Sequence, residues 1–129
     1  MRRIAMGAAA LAVLAAACGG SGDGPAGVDR SKRVSTVTDA EKAALCDWLA
    51  PMVGGYGSTH PCPGALITAP PDKATCIAEF PVCDVTVGAF ADCIAVVVPA
   101  QNTCTQMSLD DALANPVCSS SGRGNCFSQ

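Results

Sequence analysis

The chain has 129 residues, a formal net charge of −3 and a mean hydropathy of +0.34. This length allows one domain, and the acidic balance disfavours nucleic acid and anionic lipid head groups as partners of the protein surface. Five aromatic residues are present, so a core built mainly from aliphatic side chains is thin at this size and covalent cross-links are expected.

The first 17 residues have the pattern of a signal peptide. Arg2 and Arg3 follow Met1, and an uncharged apolar run of 14 residues extends from position 4 to position 17. A membrane-spanning helix needs roughly 20 such residues, so this run is too short to span comfortably. The sequence therefore predicts a leader over 1–17 that is removed on export.

A cysteine follows the apolar run directly. The segment Leu14-Ala15-Ala16-Ala17-Cys18 resembles the lipobox of bacterial lipoproteins, in a relaxed form because Ala15 stands where Leu is commonest. The resemblance implies cleavage before Cys18 and acylation of Cys18, with palmitate or similar chains. The lipid would hold the protein to the membrane of the cell envelope, at the outer membrane facing the periplasm or the surface. The alternative is an ordinary small-residue cleavage site, which leaves Cys18 as a free thiol.

The remaining cysteines form an even set. In an exported protein, eight cysteines predict four disulfides, and the sequence cannot choose among the 105 connectivities. Their gaps of 6 to 15 residues include no C-x-x-C, and His60 is the only histidine. These spacings argue against a metal centre, a cofactor site or a thioredoxin-like redox role. The set is Cys46, Cys62, Cys76, Cys83, Cys93, Cys104, Cys118 and Cys126.

Residues 18–35 are predicted to be the lipidated cysteine and a flexible tether, because Gly, Ser and Asp are frequent and apolar periodicity is absent. Arg30, Lys32 and Arg33 form a basic cluster in this segment, which predicts a solvated stretch or a weak contact with membrane phosphates. The disulfide-stapled domain is expected over 36–129.

The first helix signal is a capping box, in which Thr38 and Glu41 each satisfy a backbone amide of the other. Apolar residues at helical spacing follow, and Pro51 ends the pattern. Trp48 belongs to this apolar stripe and is expected in the core. Residues 54–71 are rich in Gly and Pro and are predicted to form a loop.

Three further helices are predicted downstream. Asp72 opens the second, while Thr86 and Ser108 cap the third and fourth, so that Asp110 and Asp111 fall in a first helical turn. The run 96–98 is β-branched and compatible with a strand, but the apolar spacing over 87–98 favours a helix. Prolines are expected to end these helices, at Pro81, Pro99 and Pro116.

Together these signals predict a mainly α fold, a small disulfide-rich bundle of about four short helices with long Gly/Pro loops. The pattern loosely resembles the small Cys-rich lipoproteins predicted in myxobacterial genomes. The resemblance rests on Thr38-Asp39-Ala40-Glu41 leading to Cys46-Asp47-Trp48, and on Thr86-Val87-Gly88 leading to Cys93. Members of that group mostly have no assigned function.

No catalytic constellation is recognisable, since no motif supplies His60 with a nucleophile and an orienting acid. The prediction is a non-catalytic binding or structural role in the cell envelope. One alternative is an inhibitor of extracellular hydrolases, which a protruding disulfide-anchored loop such as 54–62 would favour. The other is a carrier of a small apolar ligand, which a cavity between the helices would favour, lined by Leu45, Trp48, Phe90 and Ile94.

Overall fold

Helices make up most of the computed structural model, which describes residues 24–119 and residue 126. The mainly α prediction is confirmed, and no helix in this part of the chain is long and apolar enough to cross a membrane. Three short 3₁₀ turns lie at Pro25–Gly27, Val34–Thr36 and Ala50–Val53. The helices and strands are α1 (Asp39–Leu49), β1 (Thr59–Cys62), β2 (Ala65–Thr68), α2 (Lys73–Ala78), α3 (Val87–Asn102), α4 (Gln106–Ala114) and α5 (Pro116–Ser119).

Polar side chains begin three of these helices as the sequence predicts. The Thr38 hydroxyl accepts from the Glu41 amide, and the Thr38 amide donates to Glu41 Oε2 at 2.7 Å, which completes the capping box of α1. Asp72 caps α2 by accepting from the Thr75 amide at 2.7 Å, and Thr86 caps α3. Each cap satisfies an amide that has no partner within its helix.

Two predicted boundaries are wrong. The cap of α4 is Thr105, whose hydroxyl accepts from the Ser108 amide at 3.2 Å. Asp110 and Asp111 therefore lie in the second turn and not at the positive end of the helix dipole. Pro99 does not end α3, which continues to Asn102. Pro99 lies on the exposed face of this helix, where water can solvate the carbonyl that loses its partner. Residues 96–98 are helical, which confirms the predicted helix over the strand alternative.

The predicted loop over 54–71 contains a β-hairpin, which corrects that part of the interpretation. The strands pair antiparallel, with His60 opposite Ile67 and Cys62 opposite the first residue of β2. Pro63 and Gly64 connect them, and Gly64 has a φ of +79°. A proline followed by a glycine at positive φ is the pattern of a type II turn. No hairpin residue whose side chain the structure describes is buried.

Residues 28–37 form a strap that packs on the helices, whereas the sequence predicted a flexible tether over 18–35. Val28 and Val34 are buried at 4% and 2% exposure. The Val34 amide donates to the Val85 carbonyl at 2.8 Å, and the Val87 amide donates to the Lys32 carbonyl at 2.8 Å. These partners lie about 50 residues away in sequence, where local composition gives no signal. Residues 18–23 lie outside the described residues.

The basic cluster of the strap is paired with acidic groups of the domain. Arg30 lies 2.7 Å from Asp92, Lys32 lies 2.6 Å from Glu41, and Arg33 lies 3.3 Å from Asp84. Exposed pairs of this kind contribute little to stability individually. They bring the basic cluster of the strap against acidic groups of the domain, while the Arg30 and Arg33 side chains stay exposed to solvent.

The eight predicted cysteines form four disulfides. Cys46–Cys76 joins α1 to α2, Cys93–Cys118 joins α3 to α5, and Cys62–Cys104 joins the hairpin to the turn after α3. The fourth bridge, Cys83–Cys126, holds the only described residue beyond position 119.

The core is divided into two clusters. The larger one packs the strap and α1 against the first half of α3, with Leu45 fully buried and Phe80 5.9 Å from Phe90 between ring centroids. Trp48 is half-buried against this cluster. The smaller one joins α3 to α4 and α5, through Cys93, Val97, Ala112 and Cys118.

Candidate functional site

An apolar cleft lies where the end of α1 faces α3. We call it the inner cleft, and its volume is about 160 Å³. The Cys46–Cys76 disulfide contributes to one wall, and its lining is almost wholly apolar. The other main lining residues are Leu49, Val53, Ala69, Pro70, Ile94 and Val98.

A wider outer chamber of about 350 Å³ shares four lining residues with the inner cleft, namely Leu49, Pro70, Cys76 and Ile94. Phe80 and Phe90 add aromatic surface to it. Glu79 is exposed and is the one charged side chain among its described lining residues. The two spaces together can therefore accept a molecule whose buried part is apolar and whose outer part is more polar.

The sequence predicted part of this lining. Phe90 and Ile94 line the outer chamber, and Ile94 also lines the inner cleft. Leu45 is fully buried in the core, and Trp48 packs against the core without lining either space. The residue of α1 that lines both spaces is Leu49, which follows Trp48.

Other lining residues were missed because they lie outside the predicted helices. Val53 belongs to the turn after α1, and Ala69 and Pro70 follow the hairpin. Their position against α3 depends on the fold of the hairpin, so no local signal identifies them.

The lining residue Tyr56 contacts an ion pair that is not itself part of the lining of the inner cleft. The Tyr56 hydroxyl donates to Asp47 Oδ1 at 3.0 Å, and Lys73 Nζ lies 2.6 Å from Asp47 Oδ2. The hydrogen bond from Lys73 is the main reason why the pKa of Asp47 is lowered. Burial and then the bond to Asp47 raise the pKa of Tyr56. Tyr56 therefore keeps its proton, and its side chain lines the inner cleft.

A second surface is formed by the hairpin and the turn between α3 and α4. Leu66 on β2 is 62% exposed, and Met107 on α4 is 75% exposed. A hollow of about 430 Å³ lies between the two elements, with Ile67 and Leu109 in its lining. The Cys62–Cys104 disulfide fixes the hairpin at this place. The hairpin thus provides the disulfide-anchored, exposed segment that the inhibitor alternative requires.

His60 lies on β1 beside that disulfide. Its Nε2 is 3.2 Å from the carbonyl oxygen of Asn102, and one ring nitrogen lies within 4.8 Å of the sulfurs of Cys62 and Cys104. The sequence did not predict this group, because Cys104 is distant along the chain. Cys18, the predicted lipidation site, lies outside the described residues.

Comparison of the chain with protein-family profiles, curated proteins and solved structures gave no match.

Proposed function

We propose that this protein is an exported, lipid-anchored protein of the bacterial cell envelope that binds a small apolar ligand, with no catalytic role. The helices framing the site are proposed to form a small bundle centred on α3. The observation that carries the binding proposal is the almost wholly apolar lining of the inner cleft. An engineered protein cavity of ~150 Å³ with such a lining binds benzene, so a ring or a short branched alkyl group fits a space of about 160 Å³.

The cysteine count supports the anchor. All eight cysteines from Cys46 to Cys126 are paired with one another, which leaves Cys18 without a partner among them. Lipidation accounts for this odd cysteine in an exported chain. With Cys18→Ser, we expect the protein to leave the membrane fraction, because buried acyl chains contribute about 0.8 kcal/mol per methylene. Unchanged membrane fractionation of this variant would contradict the anchor.

Few residues separate the proposed anchor from the described part of the domain. Cys18 is six residues from Gly24, the first described residue, and six residues span at most roughly 20 Å. The domain would therefore sit within a short distance of the head groups. An apolar molecule dissolved in the bilayer would be concentrated near the cleft, which is consistent with a carrier.

Methyl NMR of the protein with benzene as probe tests the cleft directly. Binding should shift the methyl signals of Ile94 and Val98 and leave those of Ile67, on the hairpin, unchanged. Val53→Phe should fill the cleft and abolish the shifts. Val82→Phe is the matched control, because Val82 is 72% exposed and lines neither space. Benzene binding that survives Val53→Phe, or shifts that follow Ile67, would refute this proposal.

Inhibition of an extracellular hydrolase is the second candidate, and the observation that favours it is the exposure of Leu66 on a disulfide-anchored hairpin. A panel of secreted proteases tests it. An inhibited protease should be released by Leu66→Asp and not by Met107→Asp. A panel without any inhibited enzyme would count against this candidate.

A further inference from the structure

Three potential metal ligands meet near the turn end of the hairpin. A ring nitrogen of His60 and the sulfurs of Cys62 and Cys104 all lie within 4.8 Å of one another. The Cα atoms of the two cysteines are 5.2 Å apart. In the oxidised protein the sulfurs are bonded to each other, so the cluster offers only one ligand of any strength.

This disulfide is the most accessible of the four. Each of the other three has at least one buried cysteine, namely Cys46, Cys126, or both Cys93 and Cys118. Cys62 and Cys104 are both half-exposed. Since reduction requires attack on a sulfur by a thiolate, access favours opening of this bridge first.

The backbone at Cys104 also favours opening of this bridge. Its φ is +59°, in the left-handed region that residues with a Cβ rarely adopt. The hairpin has no buried described side chain, so opening the bridge removes no core contact. Local release is therefore compatible with an intact domain.

The hydrogen bond of His60 determines which ring nitrogen can bind a metal. A carbonyl can only accept, so His60 Nε2 donates its proton to Asn102. In the neutral ring, Nδ1 then keeps a free lone pair. Histidines that bind metals commonly donate their other ring nitrogen to a carbonyl or carboxylate in this way.

We propose that reduction of the Cys62–Cys104 disulfide creates a zinc site formed by Cys62, Cys104 and His60. A dithiol supplies two electrons: its own two thiols become a disulfide, and two protons pass to the sulfurs of Cys62 and Cys104. Zn²⁺ then displaces both protons and binds two thiolates and the imidazole, with a water as fourth ligand. This ligand set matches a tetrahedral zinc centre with one open position. None of its three ligands lines the inner cleft.

Graded reduction of the purified mature protein provides the first part of the test. Aliquots treated with increasing dithiothreitol are alkylated and mapped by mass spectrometry. Cys62 and Cys104 should be labelled before any other cysteine. Earlier labelling of another pair would overturn the proposal.

The partly reduced protein is then freed of dithiothreitol without oxygen and titrated with Zn²⁺. We expect one ion per chain, protection of both thiols from alkylation, and at least about tenfold weaker binding in His60→Gln. Thr59→Gln, on the same exposed strand, is the matched control and should bind as the wild type does. A Cys62→Ser/Cys104→Ser variant should bind none. Absence of zinc binding, or equal affinity in His60→Gln, would show that the three residues form no site.

Discussion

Removal of the buried Cys93–Cys118 disulfide should destabilise the domain more than removal of the exposed Cys62–Cys104 disulfide. The perturbations are two double variants, Cys93→Ala/Cys118→Ala and Cys62→Ala/Cys104→Ala. The sequence separations are 25 and 42 residues. Loop-closure entropy alone gives about 3.5 kcal/mol for the shorter loop and about 4 kcal/mol for the longer one. Loop-closure entropy of the unfolded chain alone therefore predicts the opposite order.

The folded state reverses that order. Cys93 and Cys118 are both 0% exposed and pack with Val97 and Ala112. Replacing two buried sulfurs leaves a cavity, which adds about 1–2 kcal/mol to the loss. The hairpin, in contrast, gains freedom in the folded state when its bridge is removed, because it is held by few other contacts. We expect a total loss of about 5 kcal/mol for the buried pair and about 2 kcal/mol or less for the exposed pair.

Urea unfolding followed by Trp48 fluorescence measures both losses, since Trp48 packs against the larger core cluster. The slope of the free energy of unfolding against urea concentration should be compared among the variants. A changed slope reports a changed unfolded or folded state. An equal or larger loss in the exposed-pair variant would refute the reasoning that burial outweighs loop length.

Three further predictions concern the staples, the strap and the first cap. Complete reduction should abolish the cooperative thermal transition seen by circular dichroism, because four bridges at ~2–4 kcal/mol each are comparable with the whole stability of a small domain. A retained transition would show that the core is sufficient without the disulfides. Val34→Ala should lower the free energy of unfolding by about 1.5 kcal/mol, whereas Val82→Ala, at an exposed position, should change it little; equal effects in urea titrations would contradict packing of the strap. Glu41→Gln should cost about 1 kcal/mol at neutral pH. The bond from Lys32 and that from the Thr38 amide lower the pKa of Glu41, so its contribution is present above the ordinary glutamate pKa and is lost as the pH falls through the lowered value; a deficit in Glu41→Gln that persists in acid would argue against this ion pair.

Two helix starts could be predicted from the local sequence. Thr38 and Thr86 cap helices through partners three residues away, and such contacts depend little on the rest of the fold. The even cysteine count predicted complete pairing, but the connectivity depends on which elements meet. The effect of Pro99 could not be predicted locally, because it depends on whether this face of the helix is exposed.

Long-range features were missed for the same reason. The strap binds to residues 83–88, and its isolated valines look like those of any linker until that partner is known. The inner cleft combines α1, the end of the hairpin and α3, so of the four predicted lining residues only Ile94 lines it, and Phe90 lines the outer chamber. The contact of His60 with Cys104 spans more than 40 residues.

Intact mass spectrometry of the mature protein, extracted from bacterial membranes without reductant, tests most directly whether an acylated Cys18 holds a fully disulfide-bonded domain at the envelope. The expected species begins at Cys18, carries the acyl chains of a lipoprotein, and gains two hydrogens per bridge when its four disulfides are reduced. A species that retains residues 1–17, or that begins with an unmodified Cys18, would contradict the lipid anchor.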